Sequence, residues 1–122
     1  MRASWIPILV LLVLVGACSD PGGHRLSPLA QQGQRVYHNV CIACHNGDPT
    51  KDGSAGPAIA GSSRELIEAR VLRAEHPPGY TPKRPGNVMP RFEYLSKDID
   101  ALAAYLAEVA SAPTPPSDAP TG

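Results

Sequence analysis

The chain has 122 residues, eleven Lys and Arg against eleven Asp and Glu, so it allows one small domain of formally zero net charge. That balance argues against a nucleic-acid partner, and 14 prolines with 11 glycines describe a core interrupted by many turns. Such a core is marginal unless something else helps to fill it.

The first residues have the form of an export signal. Arg2 precedes an apolar run from Trp5 to Val15, followed by Gly16 and Ala17. The run falls short of the roughly 20 residues that span a bilayer and has the length of a secretory signal. It ends in Val15-Gly16-Ala17-Cys18, which resembles the lipobox of bacterial lipoproteins. The resemblance implies a signal peptide over residues 1–17, cleavage before Cys18, lipid on Cys18, and anchoring on the periplasmic side of a bacterial membrane. A soluble export signal beside a chance cysteine is the alternative. Residues 18–28, rich in polar and turn-forming side chains, read as the lipid-anchored linker. The stretch from Ser19 to Pro28 reaches at most about 35 Å when extended, which keeps the domain near its membrane.

Beyond the linker the apolar residues recur at helical periods, without strand alternation. A first helix is predicted from about Pro28 to Ala43, with Leu29, Gly33, Val36, Tyr37 and Val40 on one face and Pro28 in the first turn. A loop from Asn46 to Gly61 follows. A second helix is predicted from a capping box, Ser62 with Glu65. It carries Leu66, Ile67, Arg70, Val71 and Ala74, and His76-Pro77-Pro78-Gly79 stops it. After a second long loop, Pro77 to Leu95, a last helix is predicted with Ser96 as N-cap and Asp98 and Asp100 in its first turn. Its stripe is Ile99, Leu102, Ala103, Leu106 and Val109. Residues 111–122, "SAPTPPSDAPTG", have little to bury and read as a disordered Pro-rich tail. Two loops so long and so rich in Gly and Pro are unusual in a small domain unless they wrap a large ligand.

The first helix runs into Cys41-Ile42-Ala43-Cys44-His45. Cysteines at i and i+3 lie on one helix face, so each thiol can add to one haem vinyl group with the adjacent His45 under the iron. C-x-x-C-H is the attachment signature of c-type haem. A zinc site would need a fourth ligand, and His24, His38 and His76 form no second recognisable pair. A thioredoxin-like thiol pair would need strands around it. If Cys18 carries lipid and Cys41 with Cys44 carry haem, no cysteine of the three is left over.

These residues, together with Gly56-Pro57, the Gly33/Tyr37 helix and the closing helix with Leu102, Tyr105 and Leu106, resemble a class I c-type cytochrome over about Leu29 to Ala110. The resemblance implies an all-α cytochrome c fold, three to four helices wrapped around one covalently attached haem c with its iron. Residues 29–110 would form that domain. Met89 is the sole methionine after removal of Met1; it stands before a proline, the setting in which the family places its axial thioether. His76 is the competing ligand, while His38 shares the helix of the motif and reaches the opposite haem face with difficulty. By the same resemblance the Pro57 carbonyl accepts a hydrogen bond from His45, and Tyr80, Arg84 and Arg73 are candidates for the haem propionates.

With both axial positions filled, the implied function is carriage of single electrons between membrane-associated redox partners by Fe(II)/Fe(III) cycling, not enzymatic catalysis. A donor and an acceptor protein are expected as partners, with no small-molecule substrate, and the protein is expected to be a monomer. The alternatives are a haem-bearing subunit of a dehydrogenase or oxidase complex, or a small peroxidase or gas-binding haem protein. Between Arg64 and Arg91 six basic side chains (Arg64, Arg70, Arg73, Lys83, Arg84, Arg91) face three acidic ones (Glu65, Glu68, Glu75). A basic rim that steers an acidic partner is the corresponding expectation.

Overall fold

The computed structural model describes residues 24–86 and 88–113, and among them the regular structure is helical, with no strand. Helix α1 (Pro28–Val36) leads into a π-helical turn (Tyr37–Cys41); α2 (Arg64–Arg73), a 3-10 turn (Glu93–Leu95) and α3 (Ile99–Ser111) follow. The signal-like residues, Cys18 and the tail from residue 114 onward lie outside the described residues. No described helix is long and apolar enough to cross a membrane.

Pro28 opens α1 behind an N-cap, Ser27, whose hydroxyl oxygen accepts the Ala30 N–H at 3.2 Å. Ser27 also donates its N–H (2.8 Å) and its hydroxyl (2.5 Å) to the Glu108 carboxylate, which ties the start of α1 to the far end of α3. The regular α-helix stops at Val36, short of the predicted Ala43, because the chain widens into the π-helical turn. The extra residue in that turn rotates everything after it about the helix axis.

Helices α1 and α3 touch backbone to backbone at Gly33. A Cβ there would lie 1.9 Å from the Ala101 carbonyl oxygen and 2.9 Å from Tyr105 Cβ, so only glycine fits. This close crossing also selects the small Ala30, fully buried one turn earlier, for the inner face. Leu29, expected inside, is 48% exposed. Tyr37 is buried against Tyr105, ring centroids 5.4 Å apart. Ile67 and Val71 of α2 close the core over Ile99, Leu102 and Leu106.

Two helix starts are shifted from the predicted positions. The N-cap of α2 is Ser63, whose Oγ accepts the Leu66 N–H at 3.2 Å. Ser62 is occupied in closing the preceding turn, its N–H and hydroxyl donating to the Ile59 carbonyl at 3.1 and 2.7 Å. Likewise Ser96 closes the 3-10 turn onto Glu93, and α3 begins at Ile99 behind Asp98. Helix α2 ends at Arg73, before the prolines, through Ala74 in the left-handed region (φ 56°) with the Glu75 N–H reaching back to Ala69 O at 3.1 Å. On α3 Ile99, Leu102 and Leu106 are buried as expected, Ala101 and Tyr105 complete the face, and Ala103 and Val109 are only partly covered.

Candidate functional site

The packing leaves a cavity of about 390 Å³, within the range of small-molecule and cofactor sites. Cys41, Cys44, His45, Pro57, Tyr80, Arg84 and Met89 all line it, although they come from three separate stretches of chain. Ile67, Val71, Phe92, Leu102 and Leu106 supply apolar walls.

The motif is shaped by a tight turn: the Cys44 and His45 N–H groups both donate to the Cys41 carbonyl, at 3.2 and 2.9 Å. The Cys44 carbonyl then accepts the N–H groups of Ala55 and Gly56 at 3.1 and 2.9 Å, folding the next loop back over the motif. His45 Nδ1 lies 2.9 Å from the Pro57 carbonyl oxygen. A carbonyl can only accept, so Nδ1 carries the proton that faces it, and in the neutral ring this leaves the Nε2 lone pair free. Gly56 packs on this ring so closely that a Cβ would stand 2.4 Å from His45 Cε1 and 2.5 Å from Nδ1. Cys41 and Cys44 form no disulfide, so both sulfurs are available for attachment, and before attachment burial pushes the Cys41 thiol up to about 11.

Supporting contacts not legible in the sequence surround the motif. The buried Tyr37 donates its hydroxyl to the Asn46 carbonyl at 2.5 Å, one residue past His45. Burial first, and then Cys41, raise its phenol above the ordinary value and keep it a donor. Asn46 in turn reaches Asp52 O at 3.1 Å. A buried tyrosine ahead of the motif was visible in the sequence; its hydroxyl partner was not, because only the fold brings Asn46 to it.

On the other side, His76 and Tyr80 line the cavity as a stacked pair, centroids 5.4 Å apart and planes 9° from parallel. Met89 packs against the core cluster. His38 lies away from the cavity, beside Gln34, Arg35 and Asn39 on the surface. Arg73 is corrected as a candidate: it points to Glu68 and Glu75, 3.5 Å from each, and does not line the cavity. Among the described residues no group of three or more His, Cys, Asp or Glu side chains could hold a metal ion.

The basic rim expected from the linear count is also corrected. Arg64 binds Asp100 as well as Glu68, both at 2.6 Å, Arg84 pairs with Asp52 at 3.1 Å, and Arg91 stands 3.9 Å from Glu93. Three of these acids, Asp100, Asp52 and Glu93, come from outside the counted stretch and equal its excess of three.

Comparison with protein families matches residues 30–110 to the cytochrome c family, well over half of the chain, and the chain belongs to that family. Comparison with curated proteins gives no match. The fold is accordingly the all-α cytochrome c fold, and the cofactor is haem c, covalently attached and carrying iron. Haem-based electron transfer with redox protein partners is the chemistry of such a domain. The cavity fits this group on its own terms: its walls are largely apolar, it gathers two thiols, a thioether and an imidazole with an available Nε2, and glycine at position 56 makes room for the ring.

Proposed function

We propose that the protein is a single-haem electron carrier in which Cys41 and Cys44 hold the haem by thioethers and His45 Nε2 and Met89 are the axial ligands of iron. The observation that carries this reading is the gathering of all four residues on one cavity, with His45 oriented by the Pro57 carbonyl. When bound, the haem supplies one-electron exchange between Fe(II) and Fe(III). The chain's part is to position and to shield. Pro57 fixes the His45 tautomer and ring plane, as acceptors beyond metal-bound imidazoles do, and the apolar walls limit water near the redox centre. Tyr80 and Arg84, which line the same cavity, would be the donors to the propionates. His76 is the competing ligand, but its ring is held face to face against Tyr80. A thioether ligand gives a higher potential than two histidines. With both axial positions taken by the chain's own side chains, no position is left for a substrate, which favours carriage of electrons over peroxidase or gas-binding chemistry.

The lipobox-like end of the signal supports a second element: the mature chain begins at a lipidated Cys18 and works on the periplasmic side of a membrane, within reach of redox proteins there. Stable anchoring takes more than one acyl chain, each methylene contributing about 0.8 kcal/mol, and a lipoprotein N-terminus supplies several chains.

Visible spectra and a redox titration of the purified protein test the ligand set. The expected result is a haem with two thioethers and a long-wavelength ferric charge-transfer band that Met89→Ala abolishes, with a fall in potential. A normal band in Met89→Ala would move the ligand elsewhere, and a colourless protein would refute the haem site. For the anchor, Cys18→Ser should shift the protein out of the membrane fraction; wild-type protein found wholly in the soluble fraction would refute it.

A further inference from the structure

Met89 lies between α2 and the 3-10 turn, on a stretch whose described residues form neither helix nor strand. Two side chains on that stretch cross to the loop that orients His45. Lys83 Nζ donates to the Ala58 carbonyl at 2.7 Å, and Arg84 Nη2 meets Asp52 Oδ2 at 3.1 Å. Asp52 is the junction of the crossing. Its other carboxylate oxygen accepts the Ala58 N–H at 2.8 Å, and its carbonyl accepts Asn46 Nδ2 at 3.1 Å. Ala58 follows Pro57, the acceptor for His45, and Asn46 follows His45 itself. The carboxylate therefore joins Ala58, next to the acceptor for His45, to the segment that carries Met89, while the backbone carbonyl of the same residue holds Asn46, next to His45 itself.

We propose that Asp52 is a positioning residue for axial ligation: by holding Arg84 and the Ala58 N–H together it keeps the Met89 segment closed over the haem. This rests on the reading of His45 and Met89 as the ligands. The ion pair alone is not the argument, since the Arg84 and Asp52 side chains are 38% and 66% exposed and an exposed pair contributes little. What matters is that the carboxylate bridges two otherwise irregular segments and that Lys83 fastens the same Ala58 from its other side. Cutting the bridge should leave the core helices alone and raise the fraction of time that Met89 is off the iron.

Imidazole competes for the Met89 side of the iron only while that segment is open, so its apparent affinity reports the open fraction. The experiment is a spectrophotometric imidazole titration of the ferric holoprotein, wild type against Asp52→Ala and Arg84→Gln. Asp52→Ala is expected to tighten apparent imidazole binding about fivefold, which is about 1 kcal/mol by the usual conversion. Asp52→Ala on the Arg84→Gln background should add less than about twofold, because the bridge is already cut. An unchanged affinity in Asp52→Ala, or a full effect on the Arg84→Gln background, would overturn the proposal. Met89→Ala separates the two readings: if it keeps the charge-transfer band, the ligand assignment has failed; if it loses the band while Asp52→Ala binds imidazole like wild type, only the bridge has failed.

Discussion

His45 Nδ1 sits 2.9 Å from the Pro57 carbonyl oxygen, and the residue before that proline is a glycine whose missing side chain would collide with the same imidazole. One dipeptide thus sets both which nitrogen donates and the position of the ring. Pro57 supplies an acceptor without adding a donor of its own, and Gly56 supplies space. The Gly-Pro pair is therefore explained by the histidine beside it, not merely by the turn it makes.

Gly56→Ala should displace His45. With the new Cβ 2.4 Å from Cε1, either the ring or the 53–57 loop must move. Overpacking of this kind costs about 1–3 kcal/mol. The expected outcome is a lower melting temperature together with an altered ferric spectrum, checked by thermal unfolding and visible spectroscopy of the holoprotein. An unchanged spectrum with normal stability would mean that the loop adapts freely and does not position the ring.

The haem motif was legible because its chemistry is local: Cys41, Cys44 and His45 act from adjacent positions, and Gly33 with Tyr37 shares one helix face. Helix starts were less so. Ser62 and Ser63 are neighbours that can both cap, and the choice fell to Ser63 because Ser62 was needed by the Ile59 turn. Ser96 lost the same role to a 3-10 turn. Least legible were pairs far apart in the chain, such as Ser27 with Glu108 or Asp52 with Arg84, whose partners only the tertiary fold selects. Arg73 was misplaced for the opposite reason: local carboxylates on α2 and just after it outcompete the cavity.

Ala74→Gly should stabilise the protein. Ala74 ends α2 at φ 56°, where an L side chain costs roughly 1–2 kcal/mol, while glycine adopts this conformation freely at a smaller entropic cost. A net gain of about 0.5–1 kcal/mol is expected by chemical denaturation, with the haem spectrum unchanged. A loss of stability would show that the Ala74 methyl contributes more by packing than its backbone loses by strain.

The Ser27–Glu108 tie should make the α1–α3 end sensitive to acid. The Ser27 hydroxyl, and after it the Ser27 N–H, hold the Glu108 carboxyl below the ordinary carboxylate range. A group whose folded value is depressed adds stability above its unfolded value and loses it as pH falls through the folded one. Wild type should therefore melt above Glu108→Gln at neutral pH, with the gap closing as the solution is acidified below the ordinary carboxylate range. A gap independent of pH would mean that the tie does not depend on the charge of Glu108.

Electron exchange should depend only weakly on salt. The stretch from Arg64 to Arg91 looks basic in sequence, but Asp100, Asp52 and Glu93 fold onto Arg64, Arg84 and Arg91, so three carboxylates join the three within the stretch and equal its six cations in number. A field without net sign does not steer a charged partner, and screening it removes little. Rates with an anionic and a cationic small redox reagent should each change by less than about twofold up to 0.1 M salt, where the Debye length is about 10 Å. A steep fall with the anionic reagent alone would restore the basic rim. Replacing Lys83 and Arg84 by glutamate is not a clean probe of that rim. Lys83 binds Ala58 O and Arg84 binds Asp52, so the double reversal should disturb the Met89 segment and its charge-transfer band as well as the surface charge.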